Sequence, residues 1–144
     1  MIKDRTTAYA KLVVSGKKIA GRKEYLACKR HLDDLKNKKL EYKFDVEEAE
    51  FAINFANTLT LKDGTNLKTR GFQDFIIGSL HGWKKKRTKE RRFREAYLQV
   101  GRRNGKSFLS GAESTMFSTL LGNKDRIFCA ATKQDQANIV WDEI

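Results

Sequence analysis

The stretch best suited to chemistry is GRRNGKS at residues 101–107, where three basic side chains surround two glycines. Residues 94–100 before it alternate like a β-strand, and the apolar residues after it have helical spacing. A turn between a strand and a helix can direct backbone N–H groups at a phosphate, and the helix adds the positive end of its dipole. The pattern therefore predicts a phosphate-binding loop.

Chemistry assigns each residue of this loop a role. The backbone N–H groups from Asn104 to Ser107 can turn inward on a phosphate, and Gly105 lets the backbone approach its oxygen atoms. Lys106 would reach the β- and γ-phosphates of a nucleotide, and the Ser107 hydroxyl would ligate Mg²⁺. The standard GxxxxGK[ST] pattern needs glycine at position 100, where this chain has Val100. Since short GKS matches also occur by chance, a plain surface turn is the alternative.

The elements around the loop alternate between strand and helix. After the strand at 94–100, a helix is predicted from Ser107 to Leu121, with Gly122 at its C-cap. Residues 126–132 (RIFCAAT) read as a mostly buried strand, and a further helix is predicted from Thr132 through Trp141. Strands that alternate with helices indicate a parallel sheet and an α/β core.

The chain before the loop reads as helical over residues 1–70. A first amphipathic helix has a predicted apolar face of Tyr25, Cys28, Leu32 and Leu35. A second helix is predicted to begin after Asp45, because Glu48 follows three residues later as in a capping box. A third is predicted from Gly71 to Trp83.

Composition limits the partners. The 144 residues contain 30 Lys and Arg against 18 Asp and Glu, a formal net charge of +12 that favours polyanions such as nucleic acid. No apolar run is long enough to span a bilayer, and the N-terminus does not resemble a signal peptide. His31 and His81 have no partner at metal spacing. The basic run at 84–94 either forms a solvated loop or binds DNA phosphates.

The loop resembles the deviant phosphate loop of the large terminase subunit, the motor of tailed-phage DNA packaging. Further stretches resemble the same family in the same order: LACKRHLDDL, FDVEEAEFAINF, GFQDFIIGSLHGW, RRFREAYLQV and FCAATKQDQANIVWDE. The resemblance implies a P-loop NTPase core of the ASCE type, a parallel sheet with flanking helices. It also implies that the helical region 1–70 precedes an incomplete ATPase domain at 71–144.

The resemblance adds site residues to those argued from chemistry. Arg102 matches the family's extra loop arginine, which would stabilise the γ-phosphate through its guanidinium fork. Gln73 resembles the adenine-contacting glutamine, although capping its own helix is the alternative. With ATP and Mg²⁺ as the implied ligands, the expected nucleotide-binding residues are Gln73, Arg102, Asn104, Gly105, Lys106, Ser107 and Phe108, with Arg102 and Lys106 as the catalytic ones.

The family function is ATP hydrolysis that translocates DNA into a capsid, with cleavage of concatemeric DNA. Hydrolysis needs an acidic pair at the end of a third core strand, and Asp142-Glu143 reads as helical instead. The expectation is therefore that these 144 residues bind ATP without hydrolysing it and lack the nuclease domain. Implied partners are double-stranded DNA, the small terminase subunit, the portal protein and further copies in a ring, in the host cytoplasm and away from membranes.

Two alternatives stay open. Another P-loop enzyme, such as a kinase, would be expected to have the standard first glycine and an arginine-rich lid, and neither is visible. A basic, non-enzymatic DNA-binding module would bind DNA in a salt-sensitive way that is indifferent to Lys106→Ala.

Overall fold

The computed structural model describes residues 3–60, 64, 66, 68–120, 128, 130, 133–135 and 138, with the backbone alone at 117–120. These residues fall into two compact units. The first comprises Met1–Asn54 and Thr69–Ala96, and the second comprises Phe55–Lys68 and Tyr97–Ile144. The predicted boundary at residue 70 between a helical region and an ATPase domain stays a prediction.

Five helices and two short strands make up the described elements. In chain order they are α1 (Arg5–Val14), α2 (Arg22–Lys36), β1 (Tyr42–Phe44), α3 (Val46–Thr58), α4 (Gly71–Gly82), β2 (Trp83–Lys85) and α5 (Lys106–Leu120). The three helices predicted before the loop are thereby confirmed as α2, α3 and α4. The helix predicted after the loop is confirmed as α5, which begins one residue earlier than expected.

The first unit is held together by α1, which packs against both α2 and α4. The apolar core of this contact consists of Tyr9, Ala10, Val13, Cys28 and Phe75. Two glycines let α1 and α4 approach closely. A Cβ at Gly78 would overlap the fully buried Thr6 hydroxyl, and a Cβ at Gly71 would lie 2.6 Å from the Tyr9 ring.

The buried face of α2 agrees with the predicted stripe at Cys28 and at the partly buried Leu32, and differs from it at Tyr25 and Leu35. Cys28 and His31 are its buried residues, whereas Tyr25 and Leu35 are 38% and 42% exposed. A polar histidine can replace an apolar residue here because both ring nitrogens have partners, Thr7 and Trp83, each at 3.0 Å. The predicted face was therefore displaced toward His31.

The two strands form an antiparallel ribbon that the sequence analysis did not anticipate. Phe44 pairs with Trp83 and Tyr42 with Lys85, and Phe44 and Trp83 join Ala49 in a second small core. The Asp45 N–H also donates to the Gly82 carbonyl at 2.7 Å. Strands of three residues are too short to show a two-residue alternation, so their sequence gives no strand signal.

The predicted parallel sheet is not seen among the described residues, whose sheet is the antiparallel ribbon. Residues 95–100 are not in a strand, and Tyr97 among them is 85% exposed. A strand exists only where a neighbouring chain accepts its hydrogen bonds, and the described residues supply none here. The strand prediction for 94–100 is thus wrong for this structure.

The remaining predictions after α5 fall mostly outside the described residues. Of the predicted strand at 126–132 only residues 128 and 130 are described; both are exposed, Phe128 by 84%, and neither lies in a strand. The predicted C-cap at Gly122 and the acidic pair Asp142-Glu143 lie outside the described part. Of the predicted last helix, residues 134, 135 and 138 are described as helical.

Candidate nucleotide-binding loop

The loop before α5 bends through two left-handed residues. Arg103 has a φ of 62° and Gly105 a φ of 69°, and α5 begins immediately after Gly105 at Lys106. Glycine adopts this conformation without the steric penalty that a Cβ brings. The Leu109 N–H donates to the Gly105 carbonyl at 2.9 Å, so Gly105 makes the first hydrogen bond of the helix.

The Asn104 side chain closes the turn from within. Its Nδ2 donates to the Gly101 carbonyl at 3.3 Å and to the Arg102 carbonyl at 3.1 Å. These bonds are made by the side chain and occupy carbonyl oxygens of the turn. The predicted role of Asn104, which uses its backbone N–H, is compatible with this geometry.

Positive charge is concentrated at the start of α5. The side chains of Arg102, Arg103 and Lys106 are exposed and form no ion pair with another described residue. All three lie within four residues of the N-terminus of a 15-residue helix. Because the helix dipole adds partial positive charge at that end, the loop is a favourable place for an anion.

Ser107 and Phe108, both in the first turn of α5, differ in burial and in the groups that could contact a ligand. Ser107 is half-buried, and its hydroxyl makes no hydrogen bond within the described part of the chain. Phe108 is 9% exposed, followed by Leu109 at 3%, so both anchor the helix rather than face solvent. Ser107 thus fits the predicted Mg²⁺ ligand, whereas Phe108 has only its backbone N–H to contribute.

Gln73, the predicted adenine contact, lies in the first unit at the start of α4. It is 6% exposed, and its Oε1 accepts from the Arg70 N–H at 2.8 Å. This is the helix-capping role weighed as the alternative in the sequence analysis. The adenine contact stays a prediction, which neither this hydrogen bond nor the burial of Gln73 tests.

A metal-binding cluster, a reactive histidine or a membrane-spanning helix would indicate a different function for the described residues. No group of three or more His, Cys, Asp and Glu side chains there could hold a metal ion. His31 is fully engaged with protein partners, as expected for a packing histidine. No described helix has the length and apolar character needed to cross a lipid bilayer.

Comparison with known proteins decides the family. A family model described as "terminase large subunit, ATPase domain" matches residues 71–144, just over half of the chain. The chain belongs to the terminase large subunit family. Its match to the family's ATPase domain includes α4, the basic run, the loop and α5, and supports the role of a DNA-packaging ATPase. Curated proteins and solved structures give no match.

Proposed function

We propose that this terminase chain binds Mg²⁺ and ATP through residues 101–107 as the nucleotide-binding part of a DNA-packaging motor. The observation that carries the proposal is the left-handed Gly105, with a φ of 69°, directly before α5. This conformation lets the chain enter a helix with no Cβ at the turn, next to the exposed Lys106.

The roles follow from the chemistry of each side chain. The Lys106 ammonium contacts the β- and γ-phosphates and neutralises part of their charge. The planar Arg102 guanidinium donates bidentate hydrogen bonds to γ-phosphate oxygens. The Ser107 hydroxyl would hold Mg²⁺, which neutralises phosphate charge when bound. By resemblance, Gln73 contacts the adenine.

Hydrolysis is a separate matter from binding. It needs one carboxylate near Mg²⁺ and another that activates the attacking water, and no apolar run that ends in such a pair follows the loop in the sequence. The 144-residue chain is therefore proposed to bind ATP without hydrolysing it. Translocation and DNA cleavage, the small terminase subunit, the portal, a ring of copies and a host-cytoplasmic location are proposed for the full motor.

Binding of ATP to the chain with Mg²⁺, measured by titration calorimetry, tests the proposal. Lys106→Ala removes a charge-assisted contact and is expected to weaken ATP affinity by roughly ten- to a hundredfold. Lys68→Ala, which removes an exposed lysine from the same compact unit, is the matched control and should bind normally. Unchanged ATP affinity in a folded Lys106→Ala variant would falsify the proposal.

A second candidate is a basic DNA-binding module in which the GKS sequence has no role. The net charge of +12 favours it. It predicts that the chain binds DNA and shows no saturable ATP binding, with or without Lys106. The kinase alternative has weaker support, since Val100 replaces the first glycine of the standard pattern.

A further inference from the structure

Two residues of the basic run at 84–94 form ion pairs with acidic residues of the first unit. Lys84 pairs with Glu48 at 2.8 Å, and Arg92 pairs with Asp34 at 2.7 Å. The Arg92 guanidinium also lies 5.1 Å from the Tyr42 ring centre and 5.2 Å from that of Trp83. These side chains stabilise the first unit, and their charges are already satisfied.

The rest of the run lies beside lysines from another segment. Pairing of Tyr42 with Lys85 brings the turn after β2 next to the residues that precede β1. The Lys86 Nζ donates to the Lys38 carbonyl at 3.1 Å, and the Lys86 N–H donates to the Glu41 carbonyl at 2.9 Å. We name the resulting surface the ribbon patch; it consists of Lys38, Lys39, Lys85, Lys86, Arg87 and Lys89.

The ribbon patch has a large excess of positive charge. None of its six cationic groups forms an ion pair with a described residue, although basic residues elsewhere in the first unit do, as Arg5 does with Glu50. Glu41 and Glu90 adjoin it through backbone hydrogen bonds to Lys86 and Lys85, and the Glu90 carboxylate accepts from Thr88 and lies 3.7 Å from Arg94. An excess of positive charge on one surface favours a partner that carries negative charge.

The backbone conformation of Lys89 is a second observation about this surface. Its φ is 61°, a left-handed conformation in which glycine or asparagine is favoured over lysine. Its N–H donates to the Lys85 carbonyl at 3.0 Å, so the turn depends on this conformation. The turn therefore places a cationic side chain, rather than a glycine or asparagine, at a position close to Lys85 and Lys86 in sequence.

The surface chemistry selects the type of anion. Proteins that bind single strands stack bases on exposed aromatic rings, but Phe44 and Trp83 beside the patch are 7% and 2% exposed. Tyr42 is half-buried and covered by Arg92. The patch has no apolar side chain to insert into a membrane surface either. A cationic surface without rings or apolar groups fits the phosphate backbone of a duplex.

We propose that the ribbon patch binds the phosphate backbone of double-stranded DNA independently of base sequence. The proposal rests on the DNA-packaging part of the proposed function and adds the surface that holds the DNA. It does not depend on the nucleotide loop.

The test is DNA binding by the whole chain, measured by fluorescence anisotropy with a short labelled duplex of random sequence over a salt series. The triple variant Lys39→Gln/Arg87→Gln/Lys89→Gln removes three charges from the patch. The control Lys11→Gln/Lys17→Gln/Lys18→Gln removes three exposed charges from α1 and the turn after it. Thermal melting of each protein checks that both variants are folded.

The patch variant is expected to bind at least about tenfold more weakly at ~0.1 M salt, with its log–log salt slope lower by about 2 to 3. The control should keep both values near those of the parent chain. Equal losses in both variants would show attraction to net charge alone, and no loss in the patch variant would exclude this surface; either result overturns the proposal. Stronger competition by single-stranded DNA, polyglutamate or anionic vesicles than by duplex would also overturn it.

The outcome is separable from that for ATP. The patch variant should retain the ATP affinity of the parent, and Lys106→Ala should retain nucleotide-free DNA binding. Failure of the nucleotide proposal therefore leaves the DNA measurement intact, and the reverse also holds.

Discussion

The Trp83 indole N–H donates to His31 Nδ1 at 3.0 Å, inside a core where His31 is 3% exposed. Because Nδ1 accepts this bond, the neutral ring carries its proton on Nε2, which lies 3.0 Å from the Thr7 hydroxyl. The ring also meets Phe44, Phe75 and Trp83 edge-on, with centroids 4.7 to 5.7 Å apart. One histidine thus joins α1, α2 and the β1–β2 ribbon.

This arrangement predicts a loss of stability in mild acid. Burial lowers the pKa of His31 from 6.5 to about 4, against the opposing charges of Asp4 and Asp34 and with a smaller contribution from Arg30. The unfolded chain therefore takes up a proton before the folded chain does, and stability falls as the pH drops from 6.5 toward 4. The expected loss is roughly 3 kcal/mol in the free energy of unfolding, measured by urea denaturation across this range.

Two measurements isolate the contribution of His31. In His31→Gln the pH dependence should flatten relative to the parent, since the titrating ring is gone and the remaining carboxylates are unchanged. Titration of the His31 ring signals by NMR gives its pKa without a mutation. A pKa at or above 6.5 would contradict this explanation of the acid sensitivity.

The close packing around Gly78 predicts that a larger residue there destabilises the fold. A Cβ there would overlap the Thr6 hydroxyl and lie 3.3 Å from Ile53 Cδ1, and both side chains are fully buried. Gly78→Ala is expected to lower the free energy of unfolding by about 1 to 3 kcal/mol, because α1 and α4 must separate to admit the methyl group. Gly21→Ala is the control, since a Cβ at Gly21 meets nothing within 4 Å. Equal stability of the two variants would rule out close packing at Gly78.

The sequence predicts the helices well because their signals are local. Asp45 lies just before α3 and accepts from the Glu48 N–H at 3.3 Å, as the capping pattern requires. The Glu48 carboxylate instead pairs with Lys84, 36 residues away in the chain. Contacts at such separations, including the pairing of Phe44 with Trp83, leave no periodic signal in the residues that make them.

In the candidate site, too, the features that depend on neighbouring residues were predictable from the sequence, and those that depend on distant contacts were not. The position of the loop and the start of α5 follow from glycine, basic and apolar residues that are neighbours in sequence. Gln73 could not be decided this way, because helix capping and base recognition use the same amide group. Arg92 and Lys84, which form ion pairs, are indistinguishable in sequence from Arg87 and Lys89, which form none with the described residues.

Gly105 allows a graded test of the loop conformation. With its φ of 69°, alanine is strained by about 1 to 2 kcal/mol, whereas asparagine tolerates the left-handed region better. ATP affinity should fall roughly five- to thirtyfold in Gly105→Ala and less in Gly105→Asn. Gly101→Ala is the control, because its Cβ would lie 3.4 Å from Asn104 Nδ2, near ordinary contact. A larger loss from Gly101→Ala than from Gly105→Ala would contradict the assigned conformation.

Ser107 and Ser110 provide a matched pair for the metal. Ser110 is exposed and donates to the Lys106 carbonyl at 3.2 Å, whereas the Ser107 hydroxyl makes no hydrogen bond within the described residues. Ser107→Ala should therefore reduce the gain in ATP affinity that Mg²⁺ produces, while Ser110→Ala should leave that gain unchanged. Calorimetric titration of ATP with Mg²⁺ and with EDTA measures the gain in each variant. If Ser107→Ala keeps the full Mg²⁺ effect, the hydroxyl is not the ligand, even though Lys106 can still bind the phosphates.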